Sequence, residues 1–283
     1  MGTLAEVAVV HGDPRYAHGA IDAAVEALRA VERSMTRFTA VSDVGRVNRL
    51  GTRDWVVVSA ATGTVLAHAL EWAAASDGAF DPCLGAATEL WEVGMRTSPP
   101  PHEAVRRLAG GGCYRGLDLD AAGHRARLTE PEVAIDLGGI AKGYGVDRAV
   151  AALREWGVGR AIVNVGGDLY AMGRSDDGDP WRVGIRDPRN PTALLDRIEV
   201  TDAAVATSGD YLQYFDHDGR RYHHLLDPAT AAPRESAVHS VTVAADACIT
   251  ADAAATTVFG MERSHARRLL GRQAPDARIV SAV

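Results

Sequence analysis

The residues most capable of chemistry lie where glycines surround one lysine. Ile135–Gly145 reads IDLGGIAKGYG, and Lys142 within it is the only lysine in the chain. Lysine offers a compact point charge on a flexible stem, whereas arginine offers a planar fork. An ammonium beside bare backbone N–H groups suits a phosphate; the plain alternative is a solvated surface lysine. Two familiar phosphate cradles are excluded by spacing. Gly138 and Gly143 have the separation of a P-loop, but Tyr144 follows where that motif needs lysine. Gly139 adjoins Gly138 where a dinucleotide fingerprint needs an intervening residue. What remains is a glycine turn after a strand, with amides at a helix N-terminus that attract phosphate and carbonyls that can face a metal.

Other groups carry chemistry more faintly. Asp252 and Thr256 stand four apart, so a helix places them on one face. Carboxylate and hydroxyl are hard oxygen donors of the kind Mg2+ or Ca2+ accepts; alone, the pair reads as a cap plus a helix-face hydroxyl. His223 and His224 precede Asp227-Pro228. Adjacent strand residues point to opposite faces, so at most one of these histidines faces a given site. Ser42-Asp43, with Arg46 and Asn48, either caps a helix or grips a ligand, and Phe80-Asp81-Pro82 reads as a turn. There is no G-x-S-x-G, no H-E-x-x-H and no close cysteine–histidine cluster.

Stepping outward, Leu4–Val10 reads as a strand and Asp13-Pro14 as the start of a long amphipathic helix through Met35. Met35–Asn48 reads as a loop with a polar cluster, Trp55–Val58 as a short strand, and Ser59 as the start of a helix ending before Gly78. Gly78–Trp91 turns sharply at Asp81-Pro82. Ser98–Pro101 and Gly110–Gly112 mark a surface excursion, residues 98–115, within one domain of residues 1–283. Leu117–Leu128 reads as a hairpin. Val133–Leu137 is a buried strand feeding the glycines, and the helix after them stops at Gly157; with Ala161–Val165 this makes a β-α-β order. Trp181–Ile185, Leu195–Val200 and Val238–Val243 are further strands, and Ala203–Tyr211 is small and polar. Asp252–Phe259 begins a helix that Glu262–Leu270 continues or restarts.

The 283 residues carry a formal charge of −7. That balance argues against a nucleic acid held by a basic surface, so an anionic ligand must be held by local devices. Cys83, Cys113 and Cys248 are odd in number and far apart, as expected of reduced, mostly buried thiols. No stretch is long and apolar enough for a membrane span, and the opening residues lack the charged-then-apolar pattern of an export segment. The expected location is cytoplasmic.

Taken in order, the motifs resemble those of the ApbE family, the FAD:protein FMN transferases. Ile135–Asp147 is similar to that family's signature, and Met1-Gly2-Thr3 to its opening. Met35–Asn48 resembles its M-S-x-Y-x-x-x-S-E-x-S-R-x-N segment, and Ala79–Pro82 with Gly85 its second motif. Val163–Asp168, Trp181–Pro188, Ala206–Tyr211 and His224–Thr230 follow in register, and Asp252–Phe259 resembles the closing metal motif. The resemblance runs from Met1 to about Gly260.

It implies an α/β (α+β), T-fold-like architecture, with mixed and largely antiparallel sheets and packed helices. It implies a Mg2+-dependent enzyme that splits FAD and passes the FMN half, through a phosphoester, to a threonine or serine of an acceptor flavoprotein, releasing AMP. The metal ligands would be Asp252, Thr256 and the Gly139 carbonyl. Flavin contacts would come from Met1, Phe38, Ala79, Phe80, Asp81, Asp136, Lys142 and Leu226, and catalysis from His224 and Lys142. His224 has the intrinsic pKa of a base for the acceptor hydroxyl, with Asp210 or Asp227 as alternatives. With water as acceptor the site would be an FAD pyrophosphatase; without turnover, a flavin carrier. Phe38 stands where the family usually has tyrosine, Ala255 where some members place a second aspartate, and Asp43, Gly45 and Ala231 replace glutamate, serine and glycine. No copy of the family's target motif occurs in the chain, which argues against self-modification.

Overall fold

The computed structural model describes residues 2–283. After strand β1 (Ala5–Val9), Asp13 accepts the N–H groups of Arg15 and Tyr16 and opens helix α1 (Pro14–Met35). Ser42 caps α2 (Asp43–Leu50) by accepting the Gly45 N–H. The second half of Met35–Asn48 is therefore helical rather than loop, since Val44 and Val47 bury their side chains completely. Beyond β2 (Val56–Val57), Ser59 caps α3 (Ala60–Ala75). Two short helices, α4 (Gly85–Trp91) and α5 (His102–Leu108), occupy the expected sharp turn and the expected surface excursion. They pack through Trp91 and Val105, so neither stretch is mere connection.

The hairpin β3 (Leu117–Asp120) and β4 (Arg125–Leu128) forms as expected. Val133–Leu137 is buried, yet it is not a strand: its one bridge joins Ala134 to Leu84. The reason is Asn48, whose side chain takes both backbone groups of Ile135, at 2.7 Å and 2.9 Å. Ala134 O accepts the Gly85 N–H (2.7 Å) and Asp136 N–H donates to Pro82 O (2.8 Å), so the segment's groups are met without a regular ladder, and the β-α-β order does not form. Helix α6 (Ala141–Glu155) follows, ending at Gly157 in the left-handed region.

The rest of the chain builds the main sheet and its cover. It comprises β5 (Ala161–Val165), β6 (Asp168–Met172), β7 (Trp181–Asp187), β8 (Asn190–Val200), β9 (Ala203–Gly209), β10 (Tyr214–His217) and β11 (Arg220–His223). Then come β12 (Leu226–Asp227), β13 (Ala232–Pro233), β14 (Ser240–Ala245), α7 (Cys248–Val258), α8 (Arg263–Gln273) and β15 (Arg278–Ala282). Six strands pair antiparallel in the order β1-β5-β6-β9-β14-β15. Ala203–Tyr211, small and polar in sequence, is thus largely a central strand. Its small side chains suit a sheet covered on both faces.

Alternation along the strands explains the two layers. Tyr170 and Met172 of β6 join Val163 of β5 in a core with α1 and α6, through Ala24, Leu28, Val150 and Leu153. Leu169 and Ala171 point the other way, onto Val183 and Val200 of the β7–β8 hairpin. Helix α7 belongs to two cores at once: Cys248 and Ala251 face one, Ala254 and Val258 the other. A helix apolar nearly all round is what such a central position requires.

Candidate functional site

Gly143 decides how closely α6 and α7 approach. A Cβ there would lie 2.2 Å from the Cys248 carbonyl oxygen and 2.8 Å from Asp252 Cβ, so only hydrogen fits. Asp147 of α6 then caps α7, accepting the N–H groups of Cys248 (2.8 Å) and Ile249 (2.9 Å). Asp252 sits one turn inside α7 and is not a cap. It is 2% exposed, and a buried carboxylate needs partners. Gly143 N–H donates to its Oδ2 (2.9 Å) and Lys142 Nζ to its Oδ1 (3.1 Å). Lys142 Nζ also donates to Asp168 Oδ2, at the start of β6.

Burial alone would lower the Lys142 pKa; Asp168 and Asp252 outweigh it and hold the ammonium protonated far above its ordinary range. Burial, then the charge of Asp252, pushes Asp168 up against the pull of Lys142. Two buried carboxylates thus share one ammonium. The expectation of a free ammonium among bare amides is corrected: the lysine is an internal counter-ion, and two amides of the turn are engaged as well. Gly143 N–H serves Asp252, and Gly138 N–H donates to Asp136 Oδ1 (2.8 Å).

Lys142 lines a cleft of about 680 Å3. Phe38, Ala79, Phe80, Asp81, Asp136, Gly139, His224, Leu226 and Thr256 line it too. Asp252 reaches the cleft only through Lys142, and Met1 lies outside the described residues. Phe80 is buried in the wall, whereas Phe38 is 82% exposed at the rim. The Arg37 guanidinium covers the Phe38 ring at 4.4 Å and pairs with Asp136 Oδ2 (3.1 Å). Asp81 accepts the N–H groups of Cys83 (2.9 Å) and Tyr114 (3.1 Å); burial pushes its pKa up against those bonds. The carboxylates of Asp81 and Asp136 are therefore engaged in shaping the wall.

The histidine pair divides as alternation demands. His224 lines this cleft; His223 lines a second one, about 770 Å3, on the other side of the strand end. His224 Nδ1 donates to the Gln213 carbonyl (3.2 Å), a bond that leaves Nε2 as the lone-pair nitrogen. Burial lowers its pKa to about 4, against the Gln213 bond, so the ring is neutral at neutral pH. The alternative bases are elsewhere. Asp210 lies in the second cleft, bonded to His239 Nδ1 (2.7 Å), and Asp227 closes its turn by accepting the Ala229 N–H (2.7 Å).

By chemical type the donors proposed for a metal suit a hard cation, while Asp252 Oδ1 is taken by Lys142 and Oδ2 by the Gly143 N–H. A Cβ on Gly139 would meet Thr256 Oγ1 at 3.1 Å, so the turn and the threonine are adjacent. Thr256 Oγ1 is 3.3 Å from Ser208 Oγ. Among the described residues no cluster of three or more His, Cys, Asp or Glu forms a metal site. The fit instead rests on the Asp252 carboxylate with neutral oxygens, where Asp252 and Asp168 together share a single ammonium.

Several lining residues have no role in the sequence reading: Arg37, Thr207, Ser208 and Arg234. Asp168, Thr207 and Ser208 lie in quoted motifs, which signals them without saying what they do. Thr207 N–H donates to Asp168 Oδ1 (3.3 Å). Arg234 has no such signal, being one arginine among many.

The chain matches the ApbE family over residues 1–280. An FAD:protein FMN transferase of Vibrio cholerae serotype O1 is 35% identical over 243 residues, 84% of this chain and 73% of that protein. One from Treponema pallidum is 34% identical over 284 residues, 93% of this chain and 78% of that protein. The crystal structure of the ApbE protein from Thermotoga maritima is similar with a TM-score of 0.87 at 34% identity, covering 98% of this chain and 90% of that one. The flavin transferase ApbE from Vibrio cholerae gives 0.83 at 29% identity, covering 100% and 94%.

Proposed function

The chain belongs to the ApbE family, and from that premise we propose that it is an FAD:protein FMN transferase, releasing AMP and joining FMN to a threonine or serine hydroxyl of an acceptor flavoprotein. One observation carries the reading. A buried lysine–carboxylate cluster, a neutral histidine and an apolar wall converge on one cleft from segments more than a hundred residues apart.

The chain's own residues divide the work. Ala79, Phe80 and Leu226 present apolar surface, and Phe38 a ring at the rim, for the flavin. Lys142 Nζ, with two of its three donors on Asp168 and Asp252, offers the third to the phosphoryl oxygens, where charge grows. Asp252, Thr256 and the Gly139 carbonyl would hold Mg2+, which when bound supplies Lewis acidity and neutralises the phosphates. The acceptor oxygen forms a bond to the FMN phosphorus as the bridging P–O bond to AMP breaks. The hydroxyl proton goes to His224 Nε2. A pKa near 4 is low for that task, but an adjacent pyrophosphate anion raises it.

Incubation with FAD, Mg2+ and a candidate acceptor tests this. The expected result is AMP together with flavin fluorescence on the acceptor that survives denaturing electrophoresis. AMP with no covalent flavin would instead make it an FAD pyrophosphatase, and flavin bound without AMP a carrier.

A further inference from the structure

We propose that Arg234 is a positioning residue that sets the width of the slot holding the glycine turn. Its functional assay rests on the transferase reading; its structural assay does not. Arg234 follows β13, and its hydrogen bonds run to backbone carbonyls of three separate segments. Nε donates to Leu226 O (3.1 Å), and Nη1 to Thr256 O (3.0 Å) and Phe259 O (2.7 Å). Nη2 donates to Ala79 O. Burial lowers its pKa to about 10, opposed by Asp227, so the guanidinium remains a cation. It lies at the C-terminal end of α7, where the helix dipole favours positive charge.

These carbonyls belong to the walls that flank Gly139. A Cβ on Gly139 would lie 2.9 Å from Thr256 Cγ2 and 3.2 Å from Phe80 Cε2, so the slot is one glycine wide. Arg234 ties the backbone of Thr256 on one side to that of Ala79, next to Phe80, on the other. Its third tie, Leu226, is two residues beyond His224. One planar fork thereby fixes three pieces of the cleft relative to the turn that carries Lys142. A lysine cannot replace it, because three donors on a point charge do not span carbonyls arrayed around a plane.

The test uses Arg234→Lys and Arg234→Ala in the full chain. In flavin-free protein, amide hydrogen exchange at Gly138–Gly143 should rise about tenfold or more in Arg234→Lys. With FAD, the dissociation constant should rise about tenfold and kcat/KM fall further, because orientation as well as binding is lost. Millimolar guanidinium should restore Arg234→Ala and leave Arg234→Lys unrestored. Wild-type exchange at the turn, or wild-type FAD affinity and kcat/KM with only a lower melting temperature, would overturn the proposal and leave Arg234 a simple staple. Should Arg234→Ala fail to fold, the lysine variant still decides, since it keeps charge and length. Failure of the wild-type chain to bind FAD would overturn the transferase reading, while the exchange result would still judge the clamp.

Discussion

His223 and His224 are neighbours at the end of one strand, with the same intrinsic chemistry and opposite circumstances. His223 Nε2 donates to the Arg234 carbonyl (3.0 Å), and its Nδ1 accepts the Leu225 N–H (3.3 Å). Both nitrogens are thus engaged by backbone. His224 has one nitrogen so engaged and lines the cleft that holds the lysine–carboxylate cluster. The two clefts behind them differ in the same way. The second holds an aspartate–histidine pair, Asp210 and His239, bordered by Arg221. The first gathers charge, hydroxyls and apolar rings at a glycine turn. The two histidines differ in which hydrogen bonds the fold leaves unmade, not in residue type.

The sharpest way to break this comparison is Asp252→Asn, which keeps shape and removes charge at the first cleft. Transfer should fall about a thousandfold or more, on the scale of removing a principal electrostatic group; AMP release measures it, and unchanged turnover would place the cation elsewhere. Lys142→Met leaves two buried carboxylates without their ammonium. It should cost about 3 kcal/mol of stability, the scale for breaking a buried pair, read from urea midpoints; a silent variant would return Lys142 to the role of a solvated side chain.

The histidines themselves come next. His224→Gln should lower kcat about a hundredfold, as for loss of a general base. His223→Asn should keep kcat within about threefold and lose stability of about 1–2 kcal/mol through its backbone bonds. Equal losses of turnover would erase the distinction. His224 also predicts a pH dependence. Its pKa is about 4 folded against an ordinary 6.5, so the unfolded chain binds more protons between those values. Stability therefore rises with pH across that window, is complete above it, and is lost as pH falls through about 4. Urea midpoints for the wild type and His224→Gln should diverge only there. The smallest effect belongs to the second cleft: His239→Asn should change transfer by less than about twofold.

Motif order made the family legible, and caps such as Asp13, Ser42 and Ser59 are visible as residue types before a helix. Elements without period or cap were not. Central β9 is too small-residued to look like a strand, and Val133–Leu137 looks like one but has the bonds of its central Ile135 taken by Asn48, 87 positions away. Nor could spacing show that one amide of the glycine turn is already engaged: Gly143 N–H donates to Asp252.

The sequence alone singled out one lysine, a carboxylate–threonine pair at helical spacing and a histidine pair, because type and spacing are local properties. Only the tertiary structure decided that the lysine is a half-buried counter-ion, that one histidine has a single ring nitrogen engaged and the other both, and that Arg234 joins three walls. Those facts depend on desolvation and on contacts between distant segments, which no local pattern encodes.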